Sequence, residues 1–204
     1  HHIPEPTESA VNLLAASLDL PWETGYRDLR QLVGAPLSLP SSSSISERRL
    51  TAAELQDYGS KMQRRLQHEP IQYILGQWDF LEYTLFIERP LLCPRPETEE
   101  LVGLVLEDMK KQQLATTPTT VGSRRRRVLD IGCGTGCNGI ALAAEESDCQ
   151  VTAIDVEPVA VKVAAENAAL ILGSGWRERY TVALESAVDF RVMDDDHRFH
   201  VVVS

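Results

Sequence analysis

A run of glycines follows a short apolar segment in the middle of the chain, in the sequence V-L-D-I-G-C-G-T-G at Val128–Gly136. This order predicts a strand, a tight turn and the start of a helix. Gly132, Gly134 and Gly136 would let the backbone turn and approach a ligand without steric conflict from a Cβ atom. Because ligands of open α/β sheets bind where a strand ends beside a helix N-terminus, the pattern indicates a ligand site.

An acidic residue, Asp155, ends the next apolar run, about 20 residues after the glycines. A carboxylate at this position can accept hydrogen bonds from both hydroxyls of a ribose. The alternative is structural, with Asp155 capping the helix that is predicted to begin at Pro158. The glycines and the acid together favour a ligand that contains a nucleoside.

Two cofactors compete for this arrangement. The spacing of Gly134, Gly136 and Gly139 also fits G-x-G-x-x-G, which is typical of nicotinamide dinucleotide sites. Asp130 argues against that cofactor, because a carboxylate close to the glycines repels a pyrophosphate. A cofactor with a cationic sulfonium and an ammonium group would instead be attracted. We therefore interpret the segment as the first motif of the class I methyltransferases, which bind S-adenosyl-L-methionine.

The elements that must position these residues alternate between strand and helix. Strands separated by helices indicate βαβ units and a doubly wound parallel sheet, hence an α/β fold. The predicted strands are Val128–Ile131, Val151–Ile154, Tyr180–Leu184 and His200–Val203, and the predicted helices are Cys137–Glu146 and Pro158–Leu172.

The region before the glycines predicts two further domains. Residues 1–70 have the apolar spacing of helices, and Thr51 with Glu54 forms a capping box. Residues 71–92 are rich in β-prone side chains and predict a β-hairpin linker, followed by the ligand-binding domain at residues 93–204. Lys61, Arg64 and Arg65 predict a solvated helix face that is also a candidate contact for a protein partner.

Composition narrows the function classes. The formal net charge of −10 disfavours direct nucleic acid binding, and no apolar stretch approaches the length of a membrane span. The four cysteines lack paired C-x-x-C spacing, so we expect reduced thiols and no metal site.

Several segments resemble the release factor glutamine methyltransferases. They are R-R-L-Q-H-E-P-I-Q-Y-I-L-G at Arg64–Gly76, C-P-R-P-E-T-E-E-L-V at Cys93–Val102, the glycine motif, and the segment Ala153–Ala168. The resemblance implies an N-terminal helical domain that recognises the substrate, a linking hairpin and a class I, Rossmann-like methyltransferase domain. It also implies methylation of the glutamine side-chain amide in the Gly-Gly-Gln motif of a class I peptide chain release factor, the protein partner.

The resemblance also implies roles for individual residues. Those carried over to the cofactor site are Gly132, Cys133, Gly134, Thr135, Gly136, Asp155 and Glu185. Those carried over to a segment near the active site are Arg95, Pro96, Glu97, Thr98 and Glu99, for which helix capping is the alternative. Glu185 would be the acid near the adenine, and the aromatic residue that usually follows it is missing unless Asp189 and Phe190 serve.

The family's Asn-Pro-Pro-Tyr motif, which holds the glutamine amide, is expected just after Ser204. We therefore expect a sheet that is incomplete at its C-terminus and a fragment that is inactive alone. The catalytic residues are unknown from this sequence, because they are expected just after Ser204. Three alternatives stay open: a nucleic-acid amino methyltransferase, a nicotinamide-dependent oxidoreductase, and an inactive, truncated binding module. A run of serines at residues 41–44, a run of arginines at residues 124–127 and the family's organellar members favour a mitochondrial protein if the source is eukaryotic, and a cytoplasmic one otherwise.

Overall fold

The computed structural model describes residues 6–20, 50–115, 125–191 and 198–204. The chain divides into two compact units, residues 1–75 and residues 76–204. The serine run and Arg124 lie outside the described residues. Within those residues, none of the helices combines the length and the apolar character that a membrane crossing requires.

The first unit contains three described helices: α1 at Pro6–Ser17, α2 at Ala52–Leu66 and α3 at Ile71–Leu75. The predicted capping box is confirmed at the start of α2. The Thr51 hydroxyl accepts a hydrogen bond from the Glu54 amide at 3.2 Å, and the Glu54 carboxylate accepts one from the Thr51 amide at 2.8 Å. These bonds satisfy two amides that a helix start leaves without partners.

The basic residues of α2 lie on a partly exposed face, and each of them has hydrogen-bond partners. Lys61 donates hydrogen bonds to Asp57 and to the Ser17 hydroxyl, and Arg65 donates one to the Ser9 hydroxyl at 3.2 Å. Arg64 makes two hydrogen bonds with the Glu69 carboxylate, at 2.6 and 2.8 Å. Within the helical unit, Lys61 and Arg64 are therefore ion-paired and Arg65 is hydrogen-bonded.

The predicted hairpin is shorter than residues 71–92, because its first five residues form helix α3. Pro70 precedes this helix, and its carbonyl accepts hydrogen bonds from the amides of Tyr73 and Ile74. Arg64 donates to the Tyr73 carbonyl at 3.1 Å, and Ile74 is buried, so tertiary contacts override the β-propensity of the segment. The second unit begins at Gly76 with the hairpin strands β1, Gln77–Phe80, and β2, Tyr83–Phe86.

The remainder of the second unit confirms the predicted α/β fold class. Helices α4, α5 and α6 span Pro96–Ala115, Cys137–Glu145 and Pro158–Leu172. Strands β3, β4, β5 and β6 span Arg126–Ile131, Cys149–Asp155, Tyr180–Leu184 and Val201–Val203, and a short 3-10 helix covers Trp176–Glu178.

The four strands β3 to β6 form one parallel sheet in the order β5-β4-β3-β6. The chain moves from β3 through β4 to β5 on one side, and β6 then pairs with the opposite edge of β3. The direction of winding therefore reverses at β3, which makes its carboxyl end a topological switch point. Open α/β sheets bind their ligands at such points, and here the glycine run begins there.

Candidate functional site

The glycine loop connects β3 to α5 and is tied to the neighbouring strand. The amides of Gly132 and Cys133 donate hydrogen bonds to the Ile154 carbonyl at 2.8 and 3.2 Å. Gly134 has a φ of +54°, and a Cβ added there would have no atom of the described residues within 4 Å apart from its chain neighbours; the same is true at Gly132. These two glycines therefore border open space, as a close approach of ligand to backbone requires.

Gly136 and Gly139 have a different role, because they pack against the protein. A Cβ at Gly136, where φ is +81°, would lie 2.7 Å from Ile140 Cδ1 and 2.9 Å from the Tyr180 hydroxyl. A Cβ at Gly139 would lie 2.8 Å from Val151 Cγ1 and 2.9 Å from Tyr180 Cε2. These glycines allow the start of α5 to sit closely on the sheet and on the buried Tyr180 ring.

Asp155 is held at the end of β4 by two backbone hydrogen bonds. Its Oδ2 accepts one from the Gly134 amide at 2.9 Å, and its Oδ1 accepts one from the Glu157 amide at 2.9 Å. The second bond agrees with the alternative role of Asp155 in capping helix α6, because Glu157 is the N-cap residue of that helix. Each carboxylate oxygen can accept more than one hydrogen bond, so Asp155 supports the loop and still has acceptor sites for a ligand.

Asp130 is buried beneath the loop. Its Oδ2 accepts a hydrogen bond from the Gly139 amide at 3.1 Å, and within the described part of the chain its buried Oδ1 has no partner. Burial raises the pKa of Asp130 to about 7; the Gly139 amide opposes this shift and the charge of Asp155 adds to it. Because Asp130 already occupies an amide in the first turn of α5, this helix start is less suited to a pyrophosphate.

Cys133 and Thr135 are the two predicted loop residues whose side chains are buried. Burial raises the pKa of the Cys133 thiol to about 12, which makes it an unreactive packing group. All four cysteines are free. The described residues contain no group of three or more His, Cys, Asp or Glu side chains that could hold a metal ion.

Glu185 lies next to Asp155, because the sheet brings the carboxyl ends of β4 and β5 together. The Glu185 amide donates a hydrogen bond to the Asp155 carbonyl at 2.9 Å, and the Glu185 side chain is half-buried. Phe190, one substitute for the missing aromatic residue, packs against Phe199 with ring centroids 5.9 Å apart, while Asp189 is exposed. The role of Glu185 near an adenine stays a prediction.

The segment from Arg95 to Glu99 includes the start of α4. The Leu81 amide in the hairpin turn donates a hydrogen bond to Glu99 Oε1 at 2.9 Å, and the Thr98 amide donates one to the Arg95 carbonyl at 2.9 Å. Arg95, Pro96 and Glu97 are exposed. Glu99 thus has a structural contact with the hairpin, and the position of this segment beside an active site stays a prediction.

One residue at the site was missed by the sequence analysis. Asn167, in the middle of α6, is completely buried, and its side-chain amide hydrogen-bonds to the Thr135 carbonyl of the glycine loop at 2.9 Å. It also bonds to both backbone groups of Phe86 in the hairpin. The available signal was a helix-disfavouring Asn among the alanines of Ala164–Ala169, at a position on the buried face of the helix.

Comparison with known proteins yields two family matches. Residues 1–76 match the PrmC N-terminal domain, and residues 123–173 match a methyltransferase domain.

Two relatives illustrate the similarity. The chain is 40% identical over 167 residues to the MTRF1L release factor glutamine methyltransferase of Homo sapiens, covering 81% of this chain and 44% of that protein. It is 41% identical over 125 residues to the release factor glutamine methyltransferase of Salmonella typhimurium, covering 61% of this chain and 41% of that protein. The chain therefore spans less than half the length of these two curated relatives. Among solved structures, P. horikoshii TYW2 in complex with MeSAdo has a TM-score of 0.42 and 16% identity, covering 56% of this chain and 37% of that one.

These findings confirm the resemblance to the release factor glutamine methyltransferases and the presence of a methyltransferase domain. They also confirm S-adenosyl-L-methionine as the cofactor of this domain. The residues fit such a cofactor: Gly132 and Gly134 border open space, and Asp155 presents an oriented carboxylate for a ribose.

Proposed function

We propose that the protein carrying this chain, a relative of the release factor glutamine methyltransferases, methylates the side-chain amide of a protein glutamine. The target would be the glutamine of the Gly-Gly-Gln motif in a class I peptide chain release factor. The observation that carries this proposal is the presence, in one chain, of a PrmC N-terminal match at residues 1–76 and a methyltransferase match at residues 123–173. A methyltransferase domain occurs with many substrates, so the first match is what favours this one.

The proposed cofactor contacts come from the site at the carboxyl ends of β3 and β4. The Asp155 carboxylate would bind the ribose hydroxyls, Gly132 and Gly134 would allow close backbone contact, and Glu185 would lie near the adenine. S-adenosylmethionine, when bound, supplies a methyl group activated by the sulfonium. The chain's own contribution is to fix the cofactor, since positioning the reacting groups accounts for a large part of the rate of such a transfer.

The helical unit is the proposed recognition domain for the release factor. A glutamine in a protein loop can be told from free glutamine by contacts between the enzyme and parts of the substrate far from the reacting nitrogen. A separate domain provides surface for such contacts. Lys61, Arg64 and Arg65 are weaker candidates for these contacts than the sequence indicated, because Lys61 and Arg64 form ion pairs and Arg65 hydrogen-bonds to Ser9 inside the unit. We place the protein in mitochondria if its source is eukaryotic, and in the cytoplasm otherwise.

The test is transfer of a labelled methyl group from S-adenosylmethionine to a purified class I release factor. A release factor with Gln→Ala in its Gly-Gly-Gln loop and free glutamine serve as the other acceptors. We expect label on the unaltered release factor and background levels on the other two. Equal labelling of the two release factors would place the target elsewhere.

A further inference from the structure

The side chain of Asn167 connects two segments that are far apart in sequence. Its Oδ1 accepts a hydrogen bond from the Phe86 amide at 2.7 Å, and its Nδ2 donates to the Phe86 carbonyl at 3.2 Å. The same Nδ2 donates a second hydrogen bond to the Thr135 carbonyl at 2.9 Å. Asn167 is thus bonded to hairpin strand β2 and to the glycine loop at the same time.

The chemistry of these three bonds selects an amide side chain. One acceptor oxygen and two N–H donors on a single planar group are required, which asparagine and glutamine alone provide. An aspartate retains the acceptor for the Phe86 amide but lacks both donors when ionised. The bond to the Thr135 carbonyl is buried, so that carbonyl would be left without water if the bond were lost, whereas the two bonds to Phe86 are part-buried.

The Thr135 peptide lies between two ties of the loop. On one side the Gly134 amide donates to Asp155 at 2.9 Å, and on the other the Thr135 carbonyl accepts from Asn167. Between them the Gly136 amide closes a turn onto the Cys133 carbonyl at 2.7 Å. Asp155 and Asn167 therefore fix the loop from β4 and from α6, and the open side at Gly134 stays available to a ligand.

We propose that Asn167 is a positioning residue for the cofactor site, which sets the conformation of the glycine loop and links it to the position of the hairpin. This inference rests on the proposed function only for the identity of the ligand. Asn167 is buried behind the loop, so it acts through the Thr135 peptide and does not bind the cofactor itself.

The chain offers a matched control in the same hairpin. The Tyr83 hydroxyl hydrogen-bonds to the Glu145 carboxylate at 2.8 Å and anchors β2 to the end of α5. Among the described residues, the hydrogen bonds found for Tyr83 do not reach the glycine loop. Tyr83→Phe removes this anchor and leaves Asn167 unchanged. This variant shows what a general weakening of the hairpin does by itself. The effect of losing the hydrogen bond between Asn167 and Thr135 can then be distinguished from it.

The first measurement is backbone hydrogen exchange of the protein without ligand, for wild type, Asn167→Asp, Asn167→Ser and Tyr83→Phe. In Asn167→Asp we expect roughly tenfold faster exchange at residues 132–136, a smaller increase at the Phe86 amide, which keeps its acceptor, and unchanged exchange in β4. Asn167→Ser, which retains one donor and adds no charge, should show a smaller increase at the same amides and serves if the Asp variant does not fold. Tyr83→Phe should affect the hairpin alone.

The second measurement is calorimetric binding of S-adenosylhomocysteine. We expect a roughly tenfold weaker Kd for Asn167→Asp, a smaller loss for Asn167→Ser and a wild-type Kd for Tyr83→Phe. Wild-type loop exchange in both Asn167 variants, or faster exchange spread evenly over the whole unit, would overturn the proposal. If the wild type does not bind S-adenosylhomocysteine, the proposed cofactor site is wrong, while the exchange data still decide the role of Asn167.

Discussion

Replacing Asp155 with alanine tests the centre of the proposed site. In the structure its carboxylate makes two backbone hydrogen bonds, to the amides of Gly134 and Glu157, both at 2.9 Å. In the proposed complex it would also accept hydrogen bonds from a ribose. The change therefore removes a ligand contact and one of the ties that hold the glycine loop.

The expected loss can be worked from these contacts. A hydrogen bond to a charged group contributes about 1.5–3 kcal/mol, which corresponds to a Kd roughly 10- to 150-fold weaker. The amides of Gly134 and Glu157 are partly accessible to water, so their loss costs less than that of a buried pair. Asp155→Asn retains one acceptor oxygen, and we expect it to lie between wild type and Asp155→Ala.

Calorimetric titration with S-adenosylhomocysteine measures the effect. Glu157→Ala is the matched control, because it removes the same charge two residues away, from an exposed side chain that makes no capping bond. Its Kd should equal that of the wild type. A wild-type Kd for a folded Asp155→Ala would refute the assigned role, and tight NADH binding without S-adenosylhomocysteine binding would refute the cofactor as well.

Two further predictions concern Asp130 beneath the glycine loop and two glycines within it. With its pKa raised to about 7 from 3.8, Asp130 binds a proton more tightly in the folded state, so its contribution to stability is lost as pH rises through about 7. The measurement is the free energy of unfolding in urea at pH 5 and at pH 8. The value for Asp130→Asn minus the value for wild type should rise by roughly 2–3 kcal/mol between these two pH values. The same pH dependence of stability in both proteins would contradict this. Gly136→Ala, with its close approach to Ile140 and Tyr180, should cost about 2–4 kcal/mol in the same assay. A Cβ added at Gly134 has no neighbour within 4 Å among the described residues, so Gly134→Ala should cost about 1 kcal/mol and mainly weaken cofactor binding. Equal destabilisation by the two alanines would contradict the assignment of Gly136 to packing and of Gly134 to ligand approach.

Features that depend on neighbours in sequence could be predicted from the sequence. Helix α6 at Pro158–Leu172 and strand β5 at Tyr180–Leu184 have the predicted bounds, since Pro158 favours a helix start and Gly173 an end. The capping box of Thr51 and Glu54 was predictable because both partners lie within one turn. The glycine loop and Asp155 were recognisable for the same reason, as each lies at the end of a strand with a strong local pattern.

Features that depend on distant contacts were decided by the tertiary structure. Residues 71–75 have β-prone side chains, yet they form α3, because burial of Ile74 and the bond from Arg64 to Tyr73 outweigh a weak propensity. Neither the apolar pattern nor the glycine motif gives the order β5-β4-β3-β6, which places the switch point at β3.

The same distinction applies inside the site. The residue types of the site could be read from the sequence. The sequence pattern alone predicted the same role for all the glycines of the loop and placed the charge of Asp130 close to the cofactor. The fold separates Gly132 and Gly134, which border open space, from Gly136, which packs on Tyr180, and it buries Asp130. Asn167 lies 81 residues from Phe86 and 32 from Thr135. Hydrogen bonds across such separations leave no periodic trace in a single sequence, because their partners become neighbours only when the strands and helices pack.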